Sequence, residues 1–416
     1  MFFATHVKPH LASILTSNTR LVARRRVLEA KHQVLNRPRV VHYFHDVSDP
    51  YCHLTAQVLQ QFRDTYDVEL RPHLISGPPA EALPDPAAHR QNAIKDAARL
   101  ALKLGLSPPE GSVPDEAFIA VAENQMAAEL TNESFVKNVR DISEDLWSGK
   151  GFSSSDQPLP AALIEDGDQQ LSDLGHYLSG TFHYDDEWNW GVDRLHYLEN
   201  RLLHAGLGSG SSPIVSLPSV QLGQEKPQDQ EIEFFFSFRS PYSYLAFDRA
   251  VDLARHYNAR LVLRPVLPML MRGLPVPPPK SSYILYDCVR EARRLGIPFG
   301  RICDPLGKGV ERGYALLDYA EAQEKSPEFC SAFLRGVWSE GLNAATDRGL
   351  RTIIENAGLD WQSAKPHASS DRWRDRVAVN QDRLQEIGLW GVPSFRVAGE
   401  SVWGQDRLWA VEDLLI

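Results

Sequence analysis

The chain is predicted to be an α/β protein that runs through one structural plan twice. Two observations predict this. Apolar, strand-like runs lead straight into proline-initiated helices at two places, and a colinear series of residues repeats across the middle of the chain. The composition suits such a protein. Of 416 residues, 43% are hydrophobic and 24% charged, the balance of an ordinary globular chain with room for two or three cores. A net charge of −10 argues against a nucleic-acid partner or an anionic membrane surface. No apolar run approaches the roughly 18 residues of a membrane span.

Residues 1–37 are basic, with Lys8, Arg20 and Arg24 to Arg26 preceding the first acidic residue, Glu29. Two readings fit this start: an organelle transit segment, or a helical extension packed by its basic face on the body. Residues 38–203 form the first copy, opening with "VVHYFHDVSDPYCHL". Residues 204–230, rich in Gly, Ser, Pro and Gln, have the composition of a flexible linker. Its "GLGSGSS" follows no strand, so it lacks the setting of a phosphate loop. Residues 231–416 form the second copy. Its strand "EIEFFFSF" is followed by a helix with Tyr244, Phe247, Val251 and Ala254 on one stripe, then the strand "RLVLRPV". A long helical middle section follows. A hairpin, "PSFRVAGESVWG", and a terminal helix from Asp406 close the copy.

The repeat fixes the alignment of the two copies. With Asp49 set opposite Ser240, an offset of 191, Asp96, Arg99, Gly105 and Trp147 fall opposite Asp287, Arg290, Gly296 and Trp338. Near the copies' ends the offset is 213, and "SGTFHYDDEWNWGVDRLHYLE" lies without a gap against "VPSFRVAGESVWGQDRLWAVE". The series implies an internal duplication.

Four cysteines, Cys52, Cys288, Cys303 and Cys330, include no Cys-x-x-Cys pair. That usage fits a reducing compartment, the cytoplasm, and neither a disulfide framework nor a thiolate metal site. Ser240 and Pro241 at a helix start have a purely structural account as favoured N-cap and first-turn residues. The same geometry also presents exposed N–H groups and a positive dipole end to an anion.

The motifs "SPYSYLAF", "PPPKSSYILYDCVREARRLGIPF", "GVPSF" and "WGQDR", in this order, make the second copy resemble the branch of the DsbA family that holds kappa-class glutathione transferases and 2-hydroxychromene-2-carboxylate isomerases. The first copy resembles the same family more distantly. The resemblance implies two tandem thioredoxin-like domains of DsbA type, each a β-α-β and β-β-α core with an inserted helical subdomain. It implies glutathione as co-substrate, no metal, and a small apolar or aromatic electrophile as substrate. A homodimer is a candidate assembly.

By resemblance, Ser240 is the catalytic hydroxyl that holds the glutathione thiolate. Lowering a thiol pKa by two units takes about 2.7 kcal/mol. A charge-assisted hydrogen bond of about 1.5–3 kcal/mol with a dipole contribution of about 0.3–1 kcal/mol covers that. Val392 and Pro393 would bind the cysteinyl backbone through a cis peptide bond; the alternative is a proline opening an edge strand. Gln405 and Asp406 would grip the γ-glutamyl group, with Asp406 as a plain N-cap the alternative. Lys280, placed just before the "SSY" helix, would meet the glycine carboxylate or remain a solvated charge. Tyr242, Tyr283 and Trp403 would line the acceptor pocket, or belong to the core. Ser243 is expected to be structural. The segment "RPVLPMLMRGLPVPPPK" lacks the asparagine of the isomerase pattern, a departure that bears on the isomerase reaction more than on the glutathione site.

The first copy carries Asp49 for Ser240 and Gly180 for Pro393. A carboxylate there would repel a thiolate, so a degenerate, supporting copy is expected, with Cys52 a buried thiol. His42, His45, Cys52 and His53 invite a metal reading, but positions 42 and 45 of a strand point to opposite faces. The leading functional expectation is a glutathione-dependent transferase or isomerase. A non-catalytic binding module is the alternative, and a thiol-disulfide oxidoreductase is the weakest because no cysteine pair exists to carry it.

Overall fold

A computed structural model describes residues 8–83, 85–149, 161–209, 213–224 and 230–416. The structure divides into two compact units, Met1–Ala23 with Ser219–Ile416, and Arg24–Pro218, the division falling inside helix α2. The chain begins with α1 (Lys8–Leu15) and α2 (Asn18–Val34).

The N-terminal unit continues with β1 (Val40–His45), α3 (Pro50–Thr65) and β2 (Glu69–Leu74). Four helices follow: α4 (Pro86–Leu104), α5 (Glu116–Thr131), α6 (Phe135–Trp147) and α7 (Ala161–Asp173). The hairpin β3 (Thr181–Tyr184) and β4 (Glu187–Trp190) and the helix α8 (Gly191–His204) close it. Its sheet has the order β2-β1-β3-β4, with β1 parallel to β2 and antiparallel to β3.

The C-terminal unit holds β5 (Glu231–Phe236), α9 (Pro241–His256) and β6 (Arg260–Pro265). Its helical section comprises α10 (Pro278–Leu295), α11 (Lys308–Ala315), α12 (Leu317–Ala322), α13 (Ser326–Trp338), α14 (Asp347–Asn356), α15 (Trp361–Ala364) and α16 (Trp373–Glu386). The closing hairpin is β7 (Ser394–Val397) and β8 (Glu400–Trp403), then α17 (Leu408–Leu415). The sheet order, β6-β5-β7-β8, and the strand directions match those of the other unit.

The registers agree residue for residue. Val40 pairs with Glu69 and Glu231 with Arg260, both members displaced by 191. Thr181 pairs with Trp190 and Ser394 with Trp403, both displaced by 213. Side-chain bonds follow the same offsets. The Tyr51 hydroxyl donates to Asp96 and that of Tyr242 to Asp287, each at 2.8 Å. Tyr66 donates to Glu199 at 3.0 Å and Tyr257 to Glu412 at 2.8 Å.

What the sheets carry in their middle rows differs. In the C-terminal unit buried Glu233 of β5 accepts from Arg264 of β6 at 2.7 Å and from Arg383 of α16 at 3.1 Å, with Arg396 of β7 beside it. The same positions in the N-terminal sheet hold His42, His73 and His183. His42 Nδ1 lies 2.9 Å from His73 Nε2, and burial pushes His73 and His183 down to about 4. His45 turns to the Tyr43 hydroxyl instead, 2.9 Å away.

The basic N-terminal extension is tied down within each unit. Arg293 donates to the Thr16 carbonyl. In the other unit, Glu29 accepts from Tyr184 at 2.7 Å, and Arg25 pairs with Glu187. The linker is also held more firmly than its composition predicts. Ile214 N–H donates to Glu199 at 2.8 Å, and Gln221 and Leu222 N–H groups donate to Glu412 at 2.7 and 2.6 Å. Residues 210–212 and 225–229 of it lie outside the described residues. No described helix is long and apolar enough to cross a membrane.

At the centre of the C-terminal sheet Phe234 is fully buried and stacks on Phe395 at 4.7 Å between ring centroids. Phe234→Ala is expected to cost about 3–5 kcal/mol, read as a lower urea midpoint for the C-terminal unit's transition.

Candidate functional site

Ser240 is the N-cap of α9, with Pro241 in the first turn. Its Oγ accepts from Ser243 N–H at 3.1 Å and donates to the Val392 carbonyl at 3.2 Å. The Val392–Pro393 bond is cis. The loop before it is braced by Arg272, whose Nη1 donates to the Trp390 carbonyl at 3.0 Å. Ser243 is buried, and its Oγ accepts from Ser237 N–H at 3.3 Å. Arg239, just before Ser240 in the chain, meets Asp304 through two hydrogen bonds of 2.9 Å.

Asp406 lies in a 3-10 turn, Gln405–Arg407, ahead of α17, whose cap is Arg407. The N-cap alternative for Asp406 therefore does not hold. Gly404 is fitted to this turn: its φ is +118°, and a Cβ there would come 2.7 Å from Asp406 Oδ1. Gly404 N–H donates to the Pro393 carbonyl at 3.0 Å, which joins the turn to the cis-proline loop.

Gln405 corrects the sequence reading. Its side chain is buried inside the domain, where Nε2 donates to Glu291 at 2.7 Å and Oε1 accepts from Arg249 at 3.0 Å. Buried and engaged at both ends, this side chain is turned into the domain core. Lys280 sits within the first turn of α10 rather than before the helix, because Pro278 and Pro279 start the helix two residues earlier. Half-burial pushes its ammonium below the ordinary range. Tyr242 is half-buried and held by Asp287 at 2.8 Å. Tyr283 is buried. Trp403 packs on Trp390, ring centroids 5.0 Å apart, and against Gly391, where a Cβ would meet its Nε1 at 2.8 Å.

Sequence reasoning missed Arg249, Glu291 and Arg272. On α9 and α10 a charged residue reads as solvated surface, and only the fold shows that the Arg249 guanidinium and the Glu291 carboxylate meet the Gln405 side chain. The one available signal was Glu291 itself, which falls on the buried face of α10 with Cys288 and Ala292.

The equivalent place in the N-terminal unit is closed by its own side chains. The Asp49 carboxylate accepts from Tyr51 N–H at 2.9 Å and from the Ser179 hydroxyl at 2.6 Å, and Cys52 Sγ lies 3.6 Å away. Burial raises Asp49 and pushes the Cys52 thiol well up. Asp46 Oδ1 accepts from Ser48 N–H and Oγ, both at 2.8 Å. Among the described residues no group of three or more His, Cys, Asp or Glu could hold a metal ion.

Residues 231–415 match the DSBA-like thioredoxin domain family. The C-terminal unit carries a DsbA-like thioredoxin domain. The 2-hydroxychromene-2-carboxylate isomerase of Sphingobium xenophagum is 26% identical over 193 residues, 44% of this chain and 97% of that protein. Glutathione S-transferase kappa 1 of Rattus norvegicus is 23% identical over 201 residues, 44% of this chain and 89% of that protein. A solved 2-hydroxychromene-2-carboxylate isomerase structure is 27% identical, with a TM-score of 0.38, and aligns over 44% of this chain and 93% of its own. All three alignments span less than half of the present chain, about the length of the DsbA-like domain.

A pH effect follows from the closed place in the N-terminal unit. Burial, then the charge of Asp49, raises the Asp46 carboxyl to about 7. The folded state then binds a proton that the unfolded chain has lost above its ordinary value of about 4, so stability falls as pH rises from about 4 to 7. Asp46→Asn keeps the acceptor for Ser48 and is expected to flatten that fall. Thermal midpoints of both proteins at pH 5 and pH 8 check it: the variant's gain should appear at pH 8 and shrink at pH 5.

Proposed function

We propose that the DsbA-like domain is a glutathione-dependent transferase or isomerase acting on a small apolar or aromatic electrophile. The observation that carries this reading is the Ser240 hydroxyl, set at a helix N-terminus and bonded to the carbonyl just before cis-Pro393. The bond is a long one at 3.2 Å. Releasing it frees two groups together: an O–H donor for a sulfur anion, and the Val392 carbonyl for a ligand amide. The relatives, an isomerase and a glutathione S-transferase, support the same class.

Glutathione would supply the sulfur nucleophile, since all four cysteines of the chain are buried. The chain's own part is electrostatic. Ser240 Oγ–H and the first-turn amides of α9 stabilise negative charge at the helix start, so that the thiol proton is lost to solvent near neutral pH. Asp406 would take the γ-glutamyl ammonium, and Lys280 the glycine carboxylate. Tyr242 and Trp403 offer apolar faces to the electrophile. In a transferase the new carbon–sulfur bond forms as a leaving group departs with its electron pair. In an isomerase that bond breaks again after rearrangement.

The same proposal takes residues 38–203 and 231–416 as two copies of one ancestral unit. Shared strand order, shared registers and the paired tyrosine–carboxylate bonds support it. The N-terminal copy would have lost its ligand: Asp49 grips Ser179, at the position equivalent to Val392.

Two measurements test the reading. Millimolar glutathione is expected to raise the thermal midpoint of the C-terminal unit, and Asp406→Ala to abolish the rise. Conjugation of a chloronitrobenzene-type electrophile is expected to proceed, and Ser240→Ala to slow it roughly 10- to 100-fold, the worth of one charge-assisted hydrogen bond. Binding without any conjugation would make the domain a binding module instead. Reduction of insulin disulfides would overturn the reading.

A further inference from the structure

Gln405 is 1% exposed, yet it precedes the carboxylate that the proposed site needs. Its Nε2 donates to Glu291 Oε2 at 2.7 Å, and Arg249 Nη1 donates to both its Oε1 and its backbone carbonyl at 3.0 Å. Glu291, 0% exposed, also accepts from Arg294 at 2.8 and 3.1 Å. Four hydrogen-bonding groups thus converge beneath a three-residue turn. The charges of Glu291 and Asp406 both act on Arg249, which places the guanidinium within electrostatic reach of Asp406.

The N-terminal unit shows what the fold alone requires there. On the shared offsets, Arg249, Glu291 and Gln405 stand opposite Val58, Leu100 and Val192, which are 3%, 1% and 2% exposed. An apolar trio fills the same core position. Asp193, the counterpart of Asp406, then lies in the first turn of a regular helix, α8, not in a 3-10 turn. Well-packed apolar residues match or exceed a buried ion pair in stability. The polar trio, with its two charged members, therefore costs desolvation that the fold has no need of, and its effect is to be sought in what it holds.

We propose that Arg249, Glu291 and Gln405 are positioning residues: they lock the Gln405 turn so that the Asp406 carboxylate is preorganised to receive a ligand's ammonium group. The inference rests on the glutathione reading above. Preorganisation of this kind acts on ground-state and transition-state binding alike, so it shows in KM and Kd more than in kcat.

The test transplants the N-terminal unit's solution into the full-length chain as Arg249→Val/Glu291→Leu/Gln405→Val. Calorimetric binding of glutathione, the thermal midpoint without ligand, and KM and kcat for glutathione are measured in the variant and the unaltered protein. The expected result is a midpoint equal to or above that of the unaltered protein, with Kd and KM for glutathione raised about tenfold or more and kcat at saturation little changed. A variant that folds and binds glutathione as tightly as the unaltered protein overturns the positioning role while leaving the glutathione reading intact. An unaltered protein that gives no binding heat overturns both. Should the triple variant not fold, Arg249→Lys serves. It keeps the charge, but its ammonium nitrogen stops one atom short of the position of Nη1, and it is expected to weaken binding about threefold at an unchanged midpoint. An unchanged Kd in Arg249→Lys overturns the inference.

Discussion

One hydroxyl joins the two halves of the proposed site. Ser240 Oγ receives the Ser243 amide in the first turn of α9 and reaches across to the Val392 carbonyl, so the helix start and the cis-proline loop are fixed relative to each other. Gly404 carries that constraint onward through its bond to the Pro393 carbonyl, and the Gln405 turn follows from it. A hydroxyl suits this task because it both accepts and donates, and because it can change acceptor by rotating one bond. Asp49, in the same place of the other unit, can only accept when ionised. It holds the Ser179 side chain rather than a backbone carbonyl, and burial favours its protonated form.

The two units show which interactions the plan fixes and which it leaves open. Both keep a tyrosine from the first helix donating to an aspartate on the next, and a tyrosine after that helix donating to a glutamate on the last. The middle row of the sheet is free to differ. Three histidines serve in one unit, two of them joined ring to ring, and a glutamate with arginines in the other. Backbone geometry sets the first kind of constraint, and local polar pairing is enough for the second.

Much of this was readable before any coordinates. The strand–proline–helix openings, the closing hairpins and the matching positions of the two units depend on local patterns of apolar residues, which a sequence displays directly. Ser240, Val392 and Pro393 were legible because a cap and a proline have local signatures. The side-chain directions of charged residues were not. The sequence points Gln405 at a ligand, whereas its side chain turns inward. Lys280 was placed ahead of a helix whose two opening prolines include it in the first turn. Arg249 and Glu291 went unnoticed, because their partners lie 156 and 114 residues away in sequence and no local pattern reports such a meeting. The linker misled for a related reason. Its composition describes an unattached chain, whereas Ile214, Gln221 and Leu222 are held by two carboxylates, Glu199 of α8 and Glu412 of α17.

Those two carboxylates also determine where the chain can be parted. Glu199 retains the segment through Ile214, and Glu412 retains it from Gln221 onward. A break in the few residues between them would keep both sets of amide bonds, but it would leave residues 8–23, which belong to the C-terminal unit and bond Arg293 through Thr16, on the other piece. A break on either side of that window would strip one buried glutamate of its amide partners and leave a ragged, less stable fragment.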